Sequence, residues 1–195
     1  MIRPFDFYFD FSSPYAYLAH QQIRTLERKN NIQINYKPIL LGGLHKLSNI
    51  TAAAYIPAKT KYIIRDCKMI AEKFKISFKF NTNFPISSLQ LMRGALYALK
   101  TKKLEMYCDK FFDAYWKNDF NLKNDNISNS ILKSIDIDID KFKKFISSQE
   151  TKDHLKDLTY DAYQKGIFGA PSFVVNNKIF WGQDRLDFVL RECSK

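Results

Sequence analysis

Three short stretches hold the residues able to do chemistry. In DFSSPYAYLA, Asp10 to Ala19, a serine precedes a proline where strand-type alternation gives way to a helical period. Pro14 suits the first helical position, because its fixed φ fits the helix and the N–H it lacks has no partner there. Ser13 then stands at the N-cap. Two readings of Ser13 are open. The first is a cap alone, worth about 1 kcal/mol. The second places its hydroxyl beside a prepared anion site, since a helix start just beyond a strand offers free N–H groups and the positive dipole end. There the hydroxyl can donate a hydrogen bond to a thiolate. A nucleophilic serine is not expected, because His20, His45 and His154 show no spacing that marks a partnered base.

The second stretch, FGAPSF, sets Ala170-Pro171 at the start of a strand, where proline removes no central ladder bond. The third, WGQDRLDF, turns out of a strand at Gly182 into a helix that Asp184 can cap. It reads either as a plain strand–helix turn or as a place where the N–H groups of Gln183 and Asp184 take a ligand carboxylate.

The elements that must position these residues follow from periodicity. Phe5, Phe7, Phe9 and Phe11 alternate with Asp6, Tyr8 and Asp10, a strand of period two. Tyr15, Leu18, Ala19, Gln22, Ile23 and Leu26 mark one helical face, which ends at Asn30-Asn31. IQINYKP supplies a second strand, completing a βαβ unit. From about Lys59 to Ser148 the pattern is helical: Ile63 to Phe74, Leu89 to Leu99, Leu104 to Trp116 and a shorter piece around Phe142 to Ile146. A helix over Thr151 to Lys165 is expected to stop at Gly166. Asn176-Asn177 reads as the turn of a β-hairpin, and a last helix runs from about Asp184 to Cys193.

Without the middle block the order is β-α-β-α-β-β-α. The fold class is therefore α/β, a thioredoxin-like fold interrupted by an all-helical insertion domain. The expected division is thioredoxin-like at 1–45, helical insertion at 46–150, thioredoxin-like again at 151–195. A thiol oxidoreductase carries Cys-x-x-Cys at the first strand–helix junction; here Ser13-Pro14-Tyr15-Ala16 stands instead.

Composition narrows the classes further. The chain has 195 residues, 46% hydrophobic and 15% aromatic, enough for a sizeable core. No apolar run approaches the roughly 18 residues that span a bilayer. The opening PFDFYFDF has neither a charged n-region nor an apolar h-region, so a cytoplasmic protein without a membrane partner is expected. Cys67, Cys108 and Cys193 are odd in number and far apart, against a disulfide framework. The net charge of +11 comes from lysines interleaved with acids and accompanies no nucleic-acid motif. No nucleic-acid partner is expected; the field favours small anions.

FYFDFSSPYAYLA, GIFGAPSF and FWGQDRLDFV together, with PILLGGLHK and FPISSL between them, resemble the 2-hydroxychromene-2-carboxylate isomerase family. This is a bacterial relative of kappa-class glutathione transferases within the larger DsbA-like group. The resemblance implies glutathione as cofactor and Ser13 as the catalytic serine that holds and activates its sulfur. It implies Pro171 as a cis-proline, with Ala170 pairing its backbone to the cysteinyl part. Trp181, Gly182, Gln183 and Asp184 would hold the γ-glutamyl end. Lys46, Asn49, Phe84 and Pro85 would line the pocket of a small anionic aromatic or conjugated substrate. Relatives usually carry Asn or Ser where Gln183 stands. No metal is implied, and a homodimer is.

The activity so implied is a glutathione-dependent cis–trans isomerisation by reversible addition of the thiolate to a conjugated double bond, a step in aromatic compound catabolism. A kappa-like transferase or peroxidase using the same site, and a non-catalytic glutathione-binding module, are the alternatives. Disulfide exchange is the remotest, since Ser13 and Ala16 occupy both sulfur positions.

Overall fold

The computed structural model describes residues 3–30 and 32–195. Asn31, half of the expected helix stop, lies outside the described residues. The chain runs β1 (Phe5–Phe9), α1 (Pro14–Asn30) and β2 (Ile34–Pro38). Next come α2 (Leu41–Leu47), α3 (Pro57–Phe74), α4 (Leu89–Lys100), α5 (Leu104–Trp116), α6 (Asp125–Ser134) and α7 (Ile139–Ser147). It closes with α8 (Gln149–Gln164), β3 (Ser172–Val175), β4 (Lys178–Trp181) and α9 (Leu186–Cys193). The sheet order is β2-β1-β3-β4, with β1 parallel to β2 and antiparallel to β3. This is the thioredoxin-like α/β order with a helical block between β2 and β3.

The central strand explains the core. Phe5, Phe7, Phe9 and Phe11 are each at most 1% exposed and meet Tyr36, Phe112 and Phe173 in edge and stacked contacts. The other face is covered as well. Tyr8 packs with Ile39, Leu44, Ala162 and Ile167 under α2 and α8. Period two therefore finds the strand but does not make its polar side a wet one: Asp10 is fully buried.

The hairpin forms as expected. Asn176 and Asn177 both take positive φ, 49° and 60°, and Val175 pairs with Lys178. Gly166 ends the α8 segment at φ 86°. The middle block holds two helices that periodicity does not announce, α2 and α6. The expected cap at Asp184 is not made: a short 3-10 turn over Gln183–Arg185 leads into α9, and Asp184 instead pairs with Arg185 at 3.0 Å. All three cysteines are buried and free, and burial pushes their thiols up.

Candidate active site

Ser13 is set by its neighbours in sequence. Its N–H donates to the Asp10 carbonyl at 3.1 Å, and its carbonyl accepts the first ladder bond of α1, from Tyr17 at 3.2 Å. The Oγ accepts the Ala16 N–H at 3.2 Å, so Ser13 is a true N-cap. Pro14 brings no N–H, which leaves the Tyr15 N–H without an acceptor inside the helix. The sequence suggested several free donors here; the cap and the proline reduce them to that one. No acidic residue in the first turn opposes an anion.

The same Oγ donates to the carbonyl of Ala170 at 2.8 Å, across 157 residues of chain. The cap of α1 and the Ala170-Pro171 segment, whose peptide bond is cis, are thereby one structure. Ala170 and Pro171 open onto a cleft of about 610 Å³, with Trp181, Gly182, Gln183 and Asp184 along the same wall. Tyr15 and the α3 residues Tyr62, Asp66 and Lys73 form the opposite one. Ser13 is 4% exposed and does not itself line the cleft; it is bonded to Ala170, which does.

The walls carry mixed charge. Lys73 and Arg185 face Asp66, Asp184 and Asp187. Asp66 accepts the Tyr15 hydroxyl at 2.7 Å, which together with burial pushes that phenol far up and keeps it neutral. Trp181 is 53% exposed and leans on Phe168, ring centroids 4.9 Å apart. Gly169 lets it do so, since a Cβ there would stand 2.6 Å from the indole nitrogen. Gln183 turns inward, its carbonyl oxygen accepting Gln22 Nε2 at 3.1 Å, so its side chain serves the packing of α1. Its N–H and that of Asp184 lie in the first turn of the 3-10 segment, which leaves them without intrahelical acceptors.

The residues expected at the acceptor pocket do not join this wall. Lys46 lies exposed in the last turn of α2. Asn49 follows it at φ 53° and ends the helix, its N–H donating to the Lys46 carbonyl at 3.4 Å. Phe84 packs on Phe80 and Trp116, centroids 4.9 and 5.8 Å away, while Pro85 is exposed beside it. Trp116 in turn donates to the Phe11 carbonyl at 2.8 Å, so this aromatic group abuts the Ser13 loop from the insertion side.

Two features escaped the sequence reading. Asp10, completely buried, accepts Ser12 N–H and Ser12 Oγ at 2.8 and 2.9 Å on one oxygen. Its other oxygen accepts the Leu41 N–H at 2.7 Å. Burial pushes this carboxyl up while the donors from Ser12, Ser88 and Leu41 pull it down. The FDF alternation makes it look like a surface acid; only the helices over both sheet faces reverse that. His20 does find a carboxylate through the fold, Asp109 at 2.8 Å, but it is wholly buried and neither residue lines the cleft.

Similarity to known proteins extends over nearly the whole chain. Residues 5–193 match the model of the DSBA-like thioredoxin domain family. The chain is 30% identical to a 2-hydroxychromene-2-carboxylate isomerase of Sphingobium xenophagum, over 97% of each protein. It is 23% identical to glutathione S-transferase kappa 1 of Rattus norvegicus, over 96% of this chain and 89% of that one. A solved 2-hydroxychromene-2-carboxylate isomerase structure superposes with a TM-score of 0.87 at 25% identity, covering 95% of this chain and 92% of the other.

Proposed function

We propose, from the premise that this chain belongs to the 2-hydroxychromene-2-carboxylate isomerase family of DsbA-like thioredoxin domains, that it is a glutathione-dependent isomerase of a small anionic, conjugated aromatic substrate. The observation that carries the reading is the bond from Ser13 Oγ to the Ala170 carbonyl, which ties the hydroxyl and the start of α1 to a residue that lines the cleft.

The residues present fit glutathione. The volume of about 610 Å³ falls in the roughly 300–1,000 Å³ of small-ligand sites. A tripeptide with two carboxylates and one ammonium also suits walls of mixed charge. The Ala170 backbone would pair with the cysteinyl part, and Trp181 to Asp184 would hold the γ-glutamyl end. When bound, glutathione supplies a thiolate that adds reversibly to the conjugated double bond, so that the bond rotates and the thiolate leaves unchanged.

Ser13 has the decisive task. Its hydroxyl proton points at the Ala170 carbonyl, and rotation of the hydroxyl about the Cβ–Oγ bond would redirect it to a thiolate while the Tyr15 N–H and the α1 dipole add to the field. A free thiol has a pKa of about 8.5, and moving it down by about two units takes about 3 kcal/mol. One charge-assisted hydrogen bond and a helix terminus together reach that magnitude. Lys46, a mobile point charge, would attract the substrate carboxylate. Asn49, Phe84 and Pro85 would complete the acceptor side, and the protein would work as a homodimer in the cytoplasm.

Calorimetric titration with glutathione tests the reading. Saturable binding that S-methylglutathione competes for and that Gly182→Val abolishes is expected. Absence of saturable binding would contradict it.

A further inference from the structure

The buried carboxylate of Asp10 has no part in the chemistry above, yet it bonds both the turn before Ser13 and the start of α2. One oxygen holds the Ser12 N–H and hydroxyl, so it fixes the residue next to Ser13, whose own N–H is held by the Asp10 carbonyl. The other oxygen holds the Leu41 N–H, the first of α2, the helix that carries Lys46 and leads to Asn49. His45 on that helix and Ser88 on the segment following Phe84-Pro85 also face it.

A fully desolvated carboxylate is expensive to keep, and its cost is lowered only by donors of this kind. An asparagine of the same shape could not replace it. Its NH₂ would be turned toward a donor, either the Ser12 pair or the Leu41 N–H. The arrangement therefore requires an acceptor on both oxygens, which is the property that separates Asp from every isostere.

Resting on the glutathione reading of Ser13, we infer that Asp10 is a positioning residue that locks the Ser13 cap and the start of α2 into one frame, fixing the distance between the thiol-activating hydroxyl and the acceptor-binding helix. Bimolecular addition needs the two reactants in near-attack geometry, and misplacement of about 1 Å is worth about a hundredfold in rate.

The test uses Asp10→Asn in the full chain, with two readouts. The first needs no ligand: hydrogen exchange of the segments 10–16 and 41–47 is followed by mass spectrometry. Both segments are expected to exchange about tenfold faster while α9 stays unchanged, because the asparagine turns its NH₂ against one donor and offers the other only a neutral amide oxygen in place of a charged one. Unchanged exchange, or loosening of one segment alone, overturns the inference whatever glutathione does. The second is the pKa of bound glutathione. Asp10→Asn is expected to raise it by about one unit in the wild-type background and not at all on top of Ser13→Ala, since its action passes through Ser13. An equal effect in both backgrounds overturns the inference. If wild type binds no glutathione, the proposed function fails while the exchange result still decides the role of Asp10. Should Asp10→Asn not fold, Ser12→Ala takes its place. Faster exchange over 10–16 alone is then expected, and unchanged exchange there overturns the inference.

Discussion

Replacing Ser13 by alanine separates the hydroxyl from the helix end that it caps. In the structure this hydroxyl makes two bonds, accepting from Ala16 N–H at 3.2 Å and donating to the Ala170 carbonyl at 2.8 Å. The first is an N-cap bond, so Ser13→Ala loses about 1 kcal/mol of stability and the melting temperature falls by about 2–4 °C for a chain of this size. The second is the bond that would be traded for one to the thiolate. A hydrogen bond to a charged group is worth about 1.5–3 kcal/mol, or about one to two pKa units. If wild type holds the bound thiol near a pKa of about 6.5, about three quarters is thiolate at pH 7; in the variant about 3–25% remains. Turnover at pH 7 then drops about 3- to 25-fold, and the gap closes as pH rises past the variant's thiol pKa. The assay is the ultraviolet absorbance of the thiolate in the saturated complex, titrated across pH for both proteins. A bound-thiol pKa that is the same in both would refute the reasoning and leave the helix terminus as the sole source of the shift.

Ser13→Cys should restore a reactive sulfur at the helix start, with a pKa below the ordinary cysteine value, seen as faster alkylation by iodoacetamide at pH 7 than that of buried Cys67, Cys108 or Cys193. Gly169→Ala should push Trp181 off Phe168, because the new Cβ meets the indole nitrogen at 2.6 Å; weaker glutathione binding with red-shifted tryptophan emission is the expected outcome. Glu192 accepts from Lys195, Lys178 and Asn176, and these bonds hold its carboxyl down at about 2. A lowered folded pKa gives stability present above the ordinary carboxylate pKa and lost as pH falls toward about 2. Glu192→Gln should therefore lower the melting temperature at neutral pH and flatten its fall across that acid window; an unchanged acid profile would contradict this.

The parts of the fold legible in sequence are those fixed by local rules. The Phe5–Phe11 alternation, the Ser13-Pro14 helix start and the Asn176-Asn177 turn each follow from one or two residues and their backbone preferences. The parts that were not legible depend on distant partners. α2 is seven residues with two glycines, poor by propensity, and it stands because Leu44 is buried and Asp10 takes its first N–H. α6 is largely polar and starts from a cap that Asn124 makes to the Asn126 N–H. Gln183 turns inward only because Gln22 meets it, 161 residues earlier. The cleft wall from Ala170 to Asp184 was readable from its motifs in the same local way, whereas the facing wall of Tyr62, Asp66 and Lys73 on α3 was not. Gly169 beneath Trp181 and Asp10 beneath Ser12 were not, since each derives its role from a contact that no spacing rule encodes.

The central claim is that glutathione serves as a cofactor here and is returned at the end of each cycle. Incubation of the protein with 2-hydroxychromene-2-carboxylate and a small amount of glutathione, followed by quantifying both the trans product and free glutathione, tests it most directly. The account predicts many turnovers per glutathione, no detectable adduct and no conversion by the protein when glutathione is left out. Stoichiometric loss of glutathione into an adduct or into its disulfide, or turnover without it, would contradict the account.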